Sequence, residues 1–180
     1  MSQTHSVLVL RKEQSGESFL KLHLLGPELG CQLCLKRVAT KNRSIKPAPD
    51  LFDSAEVQLE SSKQGTAQFV GEYEIIRRRS EIGLNYRTLR HASDLSNLLI
   101  LNGGHMADLP LLYRLAERSM DAFTEPLEPS VVFLKSVYLL LKDEGYPVRE
   151  SWWPAVPPQL RALTRQLLAQ PSPQSLSLED

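Results

Sequence analysis

The period of the hydrophobic pattern changes once along this chain, near Arg79, and that change limits the fold more than any other feature. Before it, five strand-like segments follow one another: Ser6–Lys12, Glu17–Leu25, Gly30–Val38, Ser54–Ser61 and Ala67–Ile76. The second puts Leu20, Leu22 and Leu24 on one face and Phe19, Lys21 and His23 on the other, and the fourth alternates Ala55, Val57 and Leu59 with Glu56, Gln58 and Glu60. Gly26-Pro27-Glu28-Leu29-Gly30 is a dense turn signal, and Pro47 and Pro49 close a longer connection. Five antiparallel strands of similar length in about eighty residues suit a small closed barrel such as an OB-fold, although a small open sheet or an SH3-like barrel satisfies the same pattern.

After Arg79 the apolar residues recur at helical spacing. Leu84–Asn102 reads as a helix with Tyr86, Leu89, Ala92, Leu95, Leu98 and Leu99 on one stripe, ended by Gly103-Gly104 as a glycine C-cap. Leu109–Thr124 is a second helix, and a third starts at Pro129 or Ser130 and runs to Gly145. Pro158–Gln170 is a fourth. Between the last two lies a Pro-rich stretch with Trp152-Trp153, read as cover for the helices, with a partner anchor as the other use. The expected fold class is therefore α+β: a barrel over residues 1–80, a helical domain over 81–170 and a flexible tail over 171–180.

Charge is distributed unevenly along a chain that is neutral overall. Residues 1–90 hold 14 Lys/Arg against 10 Asp/Glu, a net of +4, while residues 91–180 hold 7 against 11, a net of −4. Much of the positive charge falls in Leu35–Lys46, where Lys36, Arg37, Lys41, Arg43 and Lys46 occur without one acid. A loop of that kind commonly meets phosphates, and Arg11, Lys12 and Lys21 are placed to extend it along one surface. Phe19 is the one obvious residue for stacking on a base, against the plainer reading of a core aromatic. Arg77-Arg78-Arg79 either extends the patch or solvates the join between domains.

Other chemistry is poorly represented. The chain carries no Walker loop, no Gly-x-Ser-x-Gly and no His-Glu-x-x-His, so catalysis and cofactors are not expected. Cys31 and Cys34 have the spacing of half a zinc site, but residues three apart on a strand face opposite ways, and the other half is missing, so no metal is expected. With no apolar run long enough to span a membrane and no signal-peptide pattern, a cytoplasmic location is expected.

The order of these features resembles the bacterial recombination mediator RecO family. Val7-Leu8-Val9-Leu10-Arg11-Lys12 and Glu17-Ser18-Phe19 look like its opening strands, Leu24–Leu35 like its turn and third strand, and Lys36–Arg43 falls where that family carries its basic segment. Leu51-Phe52 with Val57 and Leu59 resembles its fourth strand, Tyr86 begins a helix as its members often do, and Phe133 through Gly145-Tyr146 resembles the helix that ends in Gly-Tyr. The resemblance implies an OB-fold barrel followed by a helical domain, without enzymatic activity. It also implies single- and double-stranded DNA binding, annealing of complementary strands, and action in DNA repair with RecR to help RecA load on DNA coated by single-stranded DNA-binding protein. The DNA contacts carried over are Lys36, Arg37, Lys41, Arg43 and Lys46, with Arg11 and Lys12 in support. For the acidic tail of single-stranded DNA-binding protein, Lys135 is the best-placed cation, with Arg114 and Arg118 as further candidates. Many family members carry a four-cysteine zinc module after the Gly-Tyr. This chain has no cysteine there, so zinc is not expected and the RecR contact is in question. The same basic stretch on an OB barrel also fits an RNA-binding protein, and neutrality with few aromatics fits a protein-interaction scaffold.

Overall fold

The strands close because the first of them is long enough to serve two walls. The computed structural model describes residues 4–38, 48–62, 67–106 and 108–143. Strand β1 (Thr4–Ser15) pairs with β4 (Ser54–Ser61) through its first half and with β2 (Phe19–Gly26) through its second. The register with β2 shifts between Val9 and Arg11, a bulge that bends β1 from one wall into the other. β3 (Gly30–Arg37) follows β2 around a turn in which Gly30 takes a positive φ of 64°, a conformation a side chain would strain. β5 (Gln68–Arg77) lies between β4 and β3, giving a closed barrel in the order β1-β2-β3-β5-β4. One pairing departs from the all-antiparallel expectation: β3 and β5 run parallel, through Cys34↔Gln68 and Leu35↔Phe69. With the helices that follow, this is the expected α+β class, with an OB-like barrel first.

The barrel interior is filled by Val7, Val9, Leu22, Leu24, Cys34, Ala55, Val57, Val70 and Tyr73, all buried, with Leu20, Leu29, Leu59 and Ile75 packed around them. Burial pushes the Cys34 thiol up to about 11, so it behaves as a small apolar side chain. Leu8 and Leu25 pair on the opposite, outward face and are nonetheless fully buried. The next residue across in that row is Cys31, and the backbone of Gly103 rests on it, where a Cβ would lie 3.4 Å from the cysteine Cβ. This end of the barrel's outer face is thus covered, which explains why Val7–Leu10 is an unbroken apolar run.

Beneath the barrel a buried carboxylate organises the entry to β4. Asp53 is fully buried and accepts hydrogen bonds from the Tyr73 hydroxyl (3.0 Å), from Arg78 Nε (3.0 Å) and Nη2 (2.8 Å), and from the Asp50 N–H (2.9 Å). Arg79, 2% exposed, donates to the Phe52 carbonyl at 2.7 Å and to Ser54 Oγ at 2.8 Å. Phe52 itself sits at φ 63°, a strained conformation for a bulky residue, costing on the order of 1–3 kcal/mol. It is held there because its N–H donates to Val9 O (2.8 Å), its carbonyl accepts from Arg79 and its ring is buried. Arg78 and Arg79 therefore neither extend a binding patch nor solvate a join. Two cations grip three consecutive residues.

The helical part consists of a 3₁₀ turn (Ser80–Leu84), α1 (Tyr86–Asn102), α2 (Leu109–Thr124) and α3 (Pro129–Asp143). The first two helices start where a side-chain cap supplies acceptors: Asn85 Oδ1 takes the N–H groups of Arg87 (2.9 Å) and Thr88 (3.4 Å), and Asp108 Oδ1 that of Leu111 (2.8 Å). Pro129 opens α3 at the position where its missing N–H costs nothing. The expected left-handed glycine cap on α1 does not form. Instead Asn102 Nδ2 donates to Leu98 O at 2.8 Å and the chain tightens into a second 3₁₀ turn, Gly103–His105. Ala92, Leu95 and Leu99 are buried as the stripe predicts, but Tyr86, at its start, is 75% exposed.

The described residues divide into two compact units, the barrel with Ser96–Tyr113, and Ser80–Leu95 with residues 114–143. In the second, α2 and α3 bury Leu115, Met120, Phe123, Val132, Leu134 and Leu140, and His91 lies against Phe133 with ring centroids 5.7 Å apart. Among the described residues no helix is long and apolar enough to cross a membrane. The expected fourth helix, Trp152-Trp153 and the tail lie outside the described residues.

The Asp53 cluster makes a graded prediction. Arg78→Met leaves a buried carboxylate without its counter-charge and should destabilise the protein by on the order of 3 kcal/mol. Tyr73→Phe removes one neutral donor and should cost about 1–2 kcal/mol. Urea unfolding midpoints of the two variants test this order, and equal midpoints would contradict it.

Candidate nucleic-acid interface

Strand pairing alone arranges the outward side chains of β1, β2 and β3 into rows. Arg11, His23 and Leu33 form the first; Glu13, Lys21 and Leu35 the second, which Phe69 of β5 continues; Ser15, Phe19 and Arg37 the third. Directly opposite side chains on paired strands are about 5 Å apart, so this is one continuous surface. Phe19 and Phe69 meet on it with ring centroids 6.1 Å apart and planes tilted by 58°. Both are half-buried, Leu35 lies among them, and Leu33 is 51% exposed. Phe19 therefore belongs to an outer aromatic pair and not to the barrel interior.

The cations on this face are in unequal states. The Arg37 side chain is exposed and makes no ion pair or hydrogen bond among the described residues. Arg11 is exposed and ion-paired with Glu13 at 2.8 Å, a contact open to solvent and worth little. Lys12, on the opposite parity of β1, is turned toward the β4 entry, where Nζ donates to Asp50 Oδ1 at 2.7 Å. Burial raises the Asp50 carboxyl, but the Lys12 hydrogen bond, the Leu51 N–H and the charges of Lys12 and Arg78 outweigh it and hold the group below its usual range.

Lys36 has an inward assignment. It shares the face of Leu22 and Cys34, and its ammonium donates to the Gly71 carbonyl at 3.1 Å and lies 5.9 Å from the centre of the Tyr73 ring. The β3–β5 ladder ends at Leu35↔Phe69, so this side chain makes the next link between the two strands. The signal was present in the sequence: if Leu33 and Leu35 share a side, Lys36 takes the other. Lys41, Arg43 and Lys46 lie outside the described residues.

His23 sits in the first row beside both Arg11 and Lys21. Half-burial and then the Arg11 charge lower its pKa from 6.5; Glu13 acts against them and Lys21 adds to them. The adjoining β4–β5 wall is different in kind. Glu56, Glu60, Glu72 and Glu74 are exposed on β4 and β5, with Glu56 directly opposite Glu74 and Glu60 opposite Phe69, where the acidic side chains border the aromatic pair. Like charges in register oppose pairing and would repel a polyanion, so any anion is directed to the β1–β3 face.

In the helical unit Arg114 is exposed and Arg118 partly so, while Lys135 is only 6% exposed and has partners of its own. No group of three or more His, Cys, Asp or Glu positioned to hold a metal occurs among the described residues. Sequence reasoning missed Phe69, which gains its place only from the parallel β3–β5 pairing.

An OB-like barrel with one cationic, aromatic-bearing wall and one acidic wall is the class of protein these features define. No protein-family model matches the chain, nor does any curated protein sequence.

Adjacent cations should behave oppositely on substitution. Lys36→Ala should lower stability by about 1–2 kcal/mol through the lost link to Gly71 and Tyr73. Arg37→Ala should leave stability within about 0.5 kcal/mol. On a single-stranded oligonucleotide it should reduce the slope of log affinity against log salt by about 0.7. Thermal melts and a salt series on both variants check this, and a stability loss at Arg37 equal to that at Lys36 would overturn the distinction.

Proposed function

We propose that this chain is a non-catalytic DNA-binding protein of the RecO type, which anneals complementary strands and mediates recombination in DNA repair. The observation that carries the reading is the β1–β3 wall, where Arg11, Lys21 and Arg37 flank the Phe19–Phe69 pair and Leu35. Cations along such a wall follow phosphates while aromatic and aliphatic side chains accept unstacked bases, and OB barrels bind oligonucleotides through this strand face. The wall favours single strands over duplex, because a duplex keeps its bases stacked away from the rings. Arg37 and the cations that follow β3 in sequence, Lys41, Arg43 and Lys46, add to the positive charge of this half of the chain.

Annealing needs two strands held without strong preference for their sequence, and contacts to phosphate with tolerant stacking supply that. In this reading the helical unit meets the acidic tail of single-stranded DNA-binding protein, with Arg114 and Arg118 as the accessible cations, and RecR and RecA act downstream. Lys135 contributes to that helix's packing before it contributes to a partner.

The test is binding and annealing of complementary labelled oligonucleotides at low and moderate salt, with wild type, Lys41→Ala/Arg43→Ala and Phe69→Ala. Affinity should fall steeply with salt and fall further in the double variant. Phe69→Ala should cost about 1–3 kcal/mol on single strands and less on duplex. RNA run beside DNA separates an RNA-binding protein from a DNA-binding one. Absence of binding to either at low salt would sink the proposal and favour a protein-interaction scaffold.

A further inference from the structure

Among the described residues in the outward rows of β1, β2 and β3, His23 is the one titratable group whose ordinary range lies between pH 5 and 8; His5, also on β1, pairs across to Val57 of β4. Its surroundings come from three strands. β1 supplies Arg11 directly opposite and Glu13 on the diagonal, the two joined at 2.8 Å; β2 itself supplies Lys21, the next outward residue; β3 supplies Leu33 opposite, with Leu35 and Cys31 on the diagonals. The Cys31 thiol is raised by burial and stays neutral. Glu13 is engaged by Arg11, so the remaining unpaired charge facing the imidazole is positive.

We propose that His23 is a proton-linked contact of this wall: an oligonucleotide phosphate lying across Arg11 and Lys21 brings a proton onto the imidazole, so that binding tightens as pH falls. The proposal rests on the wall being a nucleic-acid interface and adds a regulation to it. Without a polyanion, a charge on His23 is disfavoured by two neighbouring cations and by half-burial. With one, the field reverses. Phosphates neutralise Arg11 and Lys21, and a phosphate oxygen accepts a charge-assisted hydrogen bond from the imidazolium. By linkage, the proton that strengthens binding is held more tightly in the complex, and no oxidant or leaving group enters; one proton moves from solvent to an imidazole nitrogen.

The same placement has a consequence for the free protein with the opposite sign. The folded-state pKa lies below the ordinary 6.5, so the unfolded chain holds the proton more readily. The contribution of this group to stability is full above pH 6.5 and is lost as pH falls from 6.5 through the lowered value. Acid therefore weakens the free fold at this residue and strengthens the complex.

The experiment uses the full chain and a tetramethylrhodamine-labelled oligothymidylate, of which neither the dye nor the bases titrate in the range, at fixed salt between about pH 8 and pH 5. Wild type should gain about three- to tenfold in affinity over that range, and His23→Gln should be flat. NMR titration of the His23 Cε1–H should show its pKa rising on addition of the oligonucleotide, a shift that a merely structural histidine would not make. Arg11→Gln supplies an independent check, because losing that cation should raise the His23 pKa in the free protein. A pH dependence retained in His23→Gln, or an imidazole that titrates identically free and bound, would overturn the proton link while leaving the interface intact. No binding of the oligonucleotide by wild type at any pH would overturn the interface and the link together.

Discussion

The carboxylate of Asp53 is the group on which the barrel depends. A buried charge is tolerated only where donors surround it, and this one collects two nitrogens of Arg78, the Tyr73 hydroxyl and a backbone N–H. Those donors come from the end of β5, from its middle and from the connection into β4. The cluster thereby fixes where β4 begins relative to β5, and the neighbouring Arg79 fixes the strained Phe52 against β1. Burial, the Asp53 charge and the hydrogen bond to it raise the Tyr73 pKa, so the hydroxyl stays a donor under all ordinary conditions. Arg78 also donates to the Ala48 carbonyl at 2.7 Å, which ties the chain leaving the basic stretch to the same cluster. A local preference for an extended segment could not do this; the position is set by charge.

Two walls of the barrel then diverge in electrostatic character, although the chain as a whole is neutral. The difference follows from parity. On β2 and β3 the outward set is Phe19, Lys21, His23, Leu33, Leu35 and Arg37, while on β4 and β5 it includes Glu56, Glu60 and Glu74. A one-residue slip on any strand would exchange core and surface, so the apolar interior that stabilises the barrel also determines which charges face solvent. Stability and the candidate interface are specified by the same register.

Much of this could be read before any coordinates. The alternation over Glu17–Leu25 placed Leu22 and Leu24 inside and Lys21 and His23 outside, the bounds of β4 and α2 coincided with their patterns, and the change of period separated barrel from helices. What was illegible depends on contacts distant in sequence. The arginines after β5 read as surface charge because nothing in their vicinity shows that Asp53, twenty-five residues earlier, would be buried beneath them. Phe69 had no visible partner until the parallel pairing brought it beside Leu35 and Phe19. The helix cap failed for a related reason: Gly103 serves contact with Cys31, so its backbone follows that contact and not the local preference of glycine.

The double duty of β1 bears on how the molecule assembles. Its pairing with β2, and that of β2 with β3, joins residues between four and eighteen positions apart across short turns, whereas its pairing with β4 joins residues about fifty positions apart and β5 must still return beside β3. Loop-closure entropy opposes the distant pairings, so the β1–β2–β3 meander is the natural nucleus and closure of the barrel the late event. Nearly all the outward rows of the cationic wall belong to that meander. The wall therefore takes shape before the interior is sealed, and until closure a nascent chain bearing it presents cations next to still-exposed leucines.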